Sequence, residues 1–256
     1  MARASGRVNG RSFAMGYTAQ RHRYRTIHAS DIPDTQGEGR ACHEDNPDEK
    51  GPMISAARAL ARLREGNRRF AAGTPRQTLT GDARRAELLD GQEPFAIVLG
   101  CSDSRAPAEL IFDQGLGDLF VIRVAGNIVA PSQVGSVEFA ATRFNTRLVV
   151  VLGHSRCGAI LATLDELRRP SEDQSPNLRS IVDRVRPALE SLLTLDVDPD
   201  TRSFVQQAVR ANVLASVDHL RHGSAILEEL MAHHQMVVVG AEYSLETGEV
   251  DFFETS

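Results

Sequence analysis

Two short segments of this 256-residue chain carry side chains that could do chemistry. They are Gly100-Cys101-Ser102-Asp103-Ser104-Arg105 and, some fifty residues further on, Gly153-His154-Ser155-Arg156-Cys157-Gly158. Two thiolates and an imidazole form a borderline-soft, tetrahedral donor set, which suits zinc better than magnesium, calcium or manganese. Three protein ligands leave a fourth position for water or for Asp103, and an open position separates a catalytic zinc from a structural one. Water on such a zinc ionises near neutral pH, its pKa falling to ~7, and the hydroxide is a strong nucleophile. The chemistry on offer is hydration or hydrolysis.

Each segment comes directly after a short apolar, β-rich run. Such runs cover residues 95–99, 119–124 and 148–152, each bounded by Gly, Pro or Asp, and they predict buried strands. Helical stretches lie between them, one at 133–144, so the strands belong to a parallel sheet. Both segments then sit at the carboxyl edge, where open α/β sheets place their ligands. Alternation along an extended segment turns Cys101, Asp103 and Arg105 to one side. His154 and Cys157 are three apart, a spacing that puts them on one side of a helical turn. A helix through Ile160, Leu161 and Leu164 starts there, and its N-terminal partial positive charge favours the thiolate of Cys157.

The remaining pattern is helical, then extended. Ile54, Ala57, Leu60, Ala61 and Leu63 predict an amphipathic first helix over 53–70. Ser175-Pro176 opens a helix with Leu178, Ile181, Val182, Val185, Leu189 and Leu192 on its apolar face and a kink expected at Pro187. Thr201 opens another, carrying Val205, Ala208, Val209, Val213, Val217 and Leu220, and a shorter one carries Ile226, Leu227, Leu230 and Met231. A fourth strand at 236–243, a turn at Glu246-Thr247-Gly248 and an edge strand at 250–253 complete the sheet. The expected fold is α/β: three α/β/α layers, a mostly parallel sheet and an N-terminal helical arm.

Composition narrows the function classes. The chain is 41% hydrophobic with a net charge of -5, so no nucleic-acid or membrane-surface partner is expected. No apolar run approaches a membrane span. Three cysteines argue against a disulfide framework and for reduced thiols, hence a cytoplasmic protein. Residues 1–52 carry six arginines before the first acidic residue, Asp31. They read as a disordered tail, or as the product of a start codon set upstream of Met53, with the folded domain at 53–256. Cys42 is a spectator within that tail. His219 and His222 share a helical face without accompanying ligands, and a solvated face is expected there.

The two chemical segments together resemble the β-class carbonic anhydrases of bacterial type. The likeness extends to Glu65-Gly66-Asn67-Arg68-Arg69-Phe70, Gly91-Gln92-Glu93-Pro94, the run Gly117 to Arg123, and Ala125-Gly126-Asn127. The resemblance implies one Zn2+ per chain on Cys101, His154 and Cys157, and reversible hydration of carbon dioxide to bicarbonate through zinc-bound hydroxide. Asp103, paired with Arg105, would orient that hydroxide, or in a closed form become the fourth zinc ligand. Gln92, Phe120 and Phe139 would line the substrate pocket, with Phe139 in place of the more usual Tyr, and the Gly158 N–H would bind substrate oxygen. Ala159 replaces a second Gly, a change expected to be tolerated. Members with a bicarbonate-stabilised closed form carry Trp where this chain has Val98, although their arginine is matched by Arg123.

The resemblance also implies a homodimer or homotetramer, with the first helix embracing a partner and Gln92 and Phe139 reaching across the interface. Two other readings share the ligand set. One is hydrolysis of a sulfur analogue, carbonyl sulfide or carbon disulfide; the other is a zinc-binding scaffold without activity, for which Asp103 and Arg105 would be superfluous.

Overall fold

The computed structural model describes residues 54–76, 81–170, 175–193 and 201–253. The expected tail and Cys42 lie outside the described residues, as does Met53.

Helix α1 (Ala56–Ala71) is capped by Ser55, whose hydroxyl accepts from the Arg58 N–H, and it buries Ala59, Leu60 and Leu63. Ala61, expected on that face, is exposed, because the buried stripe is centred on Leu60 and Leu63 and Ala61 falls to one side of it. Asn67 stitches α1 to the rest of the chain. Its Nδ2 donates to the carbonyls of Ile111 and Gly248, and its Oδ1 accepts from the Val250 N–H at 2.8 Å.

After the short helix α2 (Asp82–Glu87), the sheet begins with β1 (Ala96–Gly100). Helix α3 (Ala108–Ile111), β2 (Leu119–Arg123), α4 (Pro131–Arg143) and β3 (Leu148–His154) follow. Then come α5 (Gly158–Arg168), α6 (Pro176–Leu193), α7 (Arg202–His222), α8 (Ala225–Ala232), β4 (Val237–Tyr243) and β5 (Val250–Phe253). The strand order is β2-β1-β3-β4-β5, parallel except for β5, which pairs antiparallel with β4 at an edge.

Every residue of β1 and β3 is buried, which is why those runs are continuously apolar. Val98, Val150, Leu152 and Ala241 pack under α1 and α3. Ile97, Leu99, Val149 and Val151 face the opposite layer with α4, α7 and α8. Each fully buried Val, Leu or Ile contributes about 1.5–3 kcal/mol, so a polar alternation in these strands would cost the fold heavily. Thus three layers form.

Helix α6 carries Pro187 in its interior, and one expectation for its apolar face needs correction. Leu178 is 59% exposed, since the buried face of α6 starts only at Val182, and Val185 and Leu189 beyond it pack against α5 and α7. The start expected at Thr201 is present, its hydroxyl accepting from the Phe204 N–H, and Ser224 caps α8 in the same way by accepting from the Leu227 N–H. Helices α2 and α3 went unread because they are too short to show a period.

Candidate metal centre

Adjacent strands bring the chemistry together. Gly100 at the end of β1 pairs with Leu152 in β3, so Cys101, one residue past β1, lies beside His154, the last residue of β3. Cys157 is the N-cap of α5. One ligand atom from each of Cys101, His154 and Cys157 lies within 4.8 Å of the other two, and all three residues are buried. The sulfurs are 3.9 Å apart.

His154 is oriented for a ligand. Its Nδ1 lies 2.9 Å from the Ser155 carbonyl; a proton donated there leaves the Nε2 lone pair available. That Nε2 is buried without a hydrogen-bond partner. An unsatisfied buried acceptor costs about 1–3 kcal/mol, and a cation held jointly with two sulfurs removes the deficit. The donor set therefore fits zinc.

The three-residue spacing works differently from the helical expectation. His154 is still in the strand, and the chain reaches Cys157 through a tight turn with Arg156 in the left-handed region (φ 55). A turn is needed because the chain must leave the sheet and enter α5 between the two ligands. The turn is pinned from β4: the Ser155 N–H donates to Tyr243 O, the Leu245 N–H donates to Ser155 Oγ, and Ser155 Oγ donates to Glu246 Oε2 at 2.9 Å. Glu246 also pairs with Arg156 and Arg202.

The thiol expectation reverses as well. Without a metal, Cys101 is the thiolate, its pKa lowered to about 4 by hydrogen bonding from Cys157, and further by His154 and by the Gly126 N–H 3.3 Å from Sγ. Cys157 is pushed up instead, by its contact with Cys101 and by burial. The backbone N–H groups of Ile160 and Ala159 do act on Cys157 in the expected direction, but a negative sulfur 3.9 Å away outweighs a helix terminus. Burial works against a charged His154, yet the Cys101 thiolate beside it leaves its pKa raised.

Asp103 and Arg105 meet across a turn rather than an extended strand, closed by the Ala106 N–H donating to Asp103 O at 3.0 Å. Arg105 Nε and Nη2 donate to Asp103 Oδ1 and Oδ2 at 2.9 and 2.8 Å, and its backbone N–H adds a third bond. The guanidinium holds the Asp103 carboxyl well below the usual carboxylate range. Asp103 Oδ2 lies 3.8 Å from His154 Nε2. Arg123 donates to the carbonyls of both Cys101 and Asp103, which fixes the loop that carries them.

The other site candidates are placed unevenly. Gly158 opens α5 beside Cys157 and is exposed. Phe120 pairs in register with Ile97, four residues before Cys101, or about 13 Å along the strand. Its ring clusters with Phe139 and Phe144 at 6.2 and 5.9 Å between centroids. Gln92 is exposed. Within one chain, these aromatic residues form a surface cluster on α4 and β2 away from the three ligands. Ser155 and Gly126 lie in segments already marked by sequence, but the contacts of Gly126 with Cys101 Sγ and of Ser155 with Glu246 are made only in the fold. His219 and His222 are exposed, as expected.

A family model described as carbonic anhydrase matches residues 96–250. A carbonic anhydrase of Mycolicibacterium smegmatis is 40% identical over 200 residues, covering 78% of this chain and 94% of that protein. Carbonic anhydrase 2 of Mycobacterium tuberculosis is 38% identical, covering 77% and 92%. Among solved structures, the β-carbonic anhydrase CcaA superposes with a TM-score of 0.61 at 26% identity, over 77% of this chain and 92% of that one. A β-carbonic anhydrase of Sordaria macrospora, described as tetrameric, shares the fold with a TM-score of 0.58 at 23% identity, over 76% and 96%. The chain belongs to the β-carbonic anhydrase family.

Proposed function

We propose that the chain catalyses the zinc-dependent, reversible hydration of carbon dioxide to bicarbonate and a proton. The observation that carries this reading is the buried, unpartnered Nε2 of His154 among two thiol sulfurs, with an ion-paired carboxylate 3.8 Å away. Cys101, His154 and Cys157 would hold the metal. Bound there, zinc would supply the Lewis acidity that lets water ionise near neutral pH.

The chain's own groups then have separate tasks. Asp103, kept ionised by Arg105, offers an acceptor oxygen that orients the attacking oxygen nucleophile through its proton. The pairing with Arg105 engages both carboxylate oxygens and would keep Asp103 from joining the three ligands on a bound metal. The Gly158 N–H, one of the unpaired donors at the start of α5, supports binding of a substrate oxygen as charge develops. Gln92, Phe120 and Phe139 are assigned to the substrate pocket, where apolar walls suit an uncharged molecule without a dipole.

These three residues support an assembly in which a second copy completes the site, as a homodimer or homotetramer. Phe139 is 52% exposed and Leu89 84% exposed, and β2 is an open edge of the sheet. The catalytic domain is assigned to residues 53–256. Cytoplasmic placement is supported by the free thiols of Cys101 and Cys157. No helix among the described residues is long and apolar enough to cross a membrane.

Stopped-flow hydration of carbon dioxide, on protein of measured zinc content between pH 6.5 and 9, tests the reading. Rapid turnover that follows zinc content is expected. One zinc per chain with no turnover at any pH would overturn it and point to carbonyl sulfide or carbon disulfide as substrate, and, if neither is turned over, to the inactive scaffold.

A further inference from the structure

Helix α7 reaches the metal centre through a turn that follows β2. Asn212 Nδ2 donates to the Gly126 carbonyl at 2.8 Å, and one helical turn later Ser216 Oγ donates to the Asn127 carbonyl at 3.0 Å. Both side chains are buried, Asn212 at 2% exposure and Ser216 at 5%. They grip an unusual backbone, since Gly126 (φ 70) and Asn127 (φ 42) are successive residues in the left-handed region. A β-carbon at Gly126 would also come within 3.1 Å of Ala159 Cβ in α5. Such a turn persists only where its surroundings over-determine it.

The turn touches the ligand directly, because the Gly126 N–H donates to Cys101 Sγ at 3.3 Å. Glycine has little preference of its own among backbone conformations, so the direction of that N–H must be fixed from outside. We infer that Asn212 is a positioning residue for the metal centre: its bond to the Gly126 carbonyl fixes the Gly126–Asn127 peptide, which the Asn127 N–H also ties to the Val124 carbonyl, and so holds the left-handed turn that keeps the Gly126 N–H on Cys101 Sγ. Ser216 anchors the neighbouring carbonyl and has no such line to the sulfur. An N–H donated to the sulfur favours its ionised, metal-binding form and holds its direction, and outer-shell partners of metal ligands are typically worth about 10–100-fold in metal affinity.

The inference rests on the zinc site proposed above, and the test separates the two. Zinc affinity is measured on the full chain by competition with a chromophoric chelator, and the thiolate-to-metal charge-transfer band is recorded after cobalt(II) substitution. Melting temperature is followed in parallel. Asn212→Ala is expected to weaken zinc by about 10–100-fold and to shift the band. Ser216→Ala loses thermal stability but leaves affinity and band unchanged. Asn212→Leu, which keeps the volume and drops the donor, replaces the alanine variant if that fails to fold. An unmoved band and affinity in the Asn212 variant overturn the inference, as does an equal effect from Ser216→Ala. Wild-type protein that binds no zinc removes the site itself, and the inference with it.

Discussion

The Asp103 carboxylate and the Arg105 guanidinium meet in two parallel hydrogen bonds of 2.9 and 2.8 Å, and the outer carboxylate oxygen stands 3.8 Å from His154 Nε2. A fork geometry of this kind fixes direction as well as charge. The pair sits beside the candidate ligands Cys101, His154 and Cys157.

Asp103→Ala should therefore retain one zinc per chain and lose most activity, about 100-fold in kcat, the lower end for a positioned proton-handling group. Stopped-flow kinetics alongside metal analysis measure both. Full activity in this variant would remove the assigned role.

The same pair has a pH signature. The folded Asp103 pKa is depressed by Arg105, so its stabilising contribution is fully present above the unfolded value of about 3.9 and is lost as pH falls from there towards the folded value. Melting temperatures of wild type and Asp103→Asn should differ at pH 6 and converge below about pH 4. A constant difference across that range contradicts the ion pair.

Metal removal should expose the thiol asymmetry. With zinc stripped by a chelator, Cys101 at a pKa of about 4 is ionised at pH 6, where an ordinary thiol is not. Thiolate absorbance near 240 nm should persist at pH 6 in the metal-free protein, fade as pH falls through 4, and be absent at pH 6 in Cys101→Ala. Cys157→Ala should lose both zinc and activity.

Assembly is tested at the aromatic cluster. Phe139 is half exposed and lies 5.6 Å from Phe144 and 6.2 Å from Phe120, centroid to centroid. Phe139→Glu should shift the protein to a smaller species by light scattering and lower activity with it. An unchanged mass would place the interface elsewhere.

Packing at Gly66 permits almost nothing larger. A β-carbon there would lie 1.8 Å from the Phe112 carbonyl oxygen, a backbone atom that cannot step aside. Gly66→Ala should destabilise the fold by about 3 kcal/mol or more, at or above the usual overpacking range, as measured by urea unfolding.

Much of this protein was legible in its residue order because the relevant signals are local. A parallel strand buried on both faces must be apolar throughout, which marks β1 and β3 and locates Cys101 and His154 at their ends. Helical period and capping chemistry likewise mark α7 from Thr201.

Tertiary structure decided what depends on contacts between distant residues. The 3.9 Å separation of Cys101 and Cys157 across 56 residues disfavours charge on both, and the Gly126 N–H on Cys101 Sγ favours Cys101 despite the helix terminus next to Cys157. The left-handed turn at Arg156, pinned by Ser155 and Glu246, brings His154 and Cys157 together where a helical spacing was expected. Asn212 shares its buried helix face with apolar residues and Ser216, and its bond to Gly126, 86 residues away, has no local sequence pattern. Phe120 and Phe139 are apolar residues in either reading; the sheet register sets Phe120 beside Ile97, and the ring contact brings Phe139 of α4 to it. Residue type and period determine which side of an element is buried, whereas the closing of the chain determines which buried groups meet.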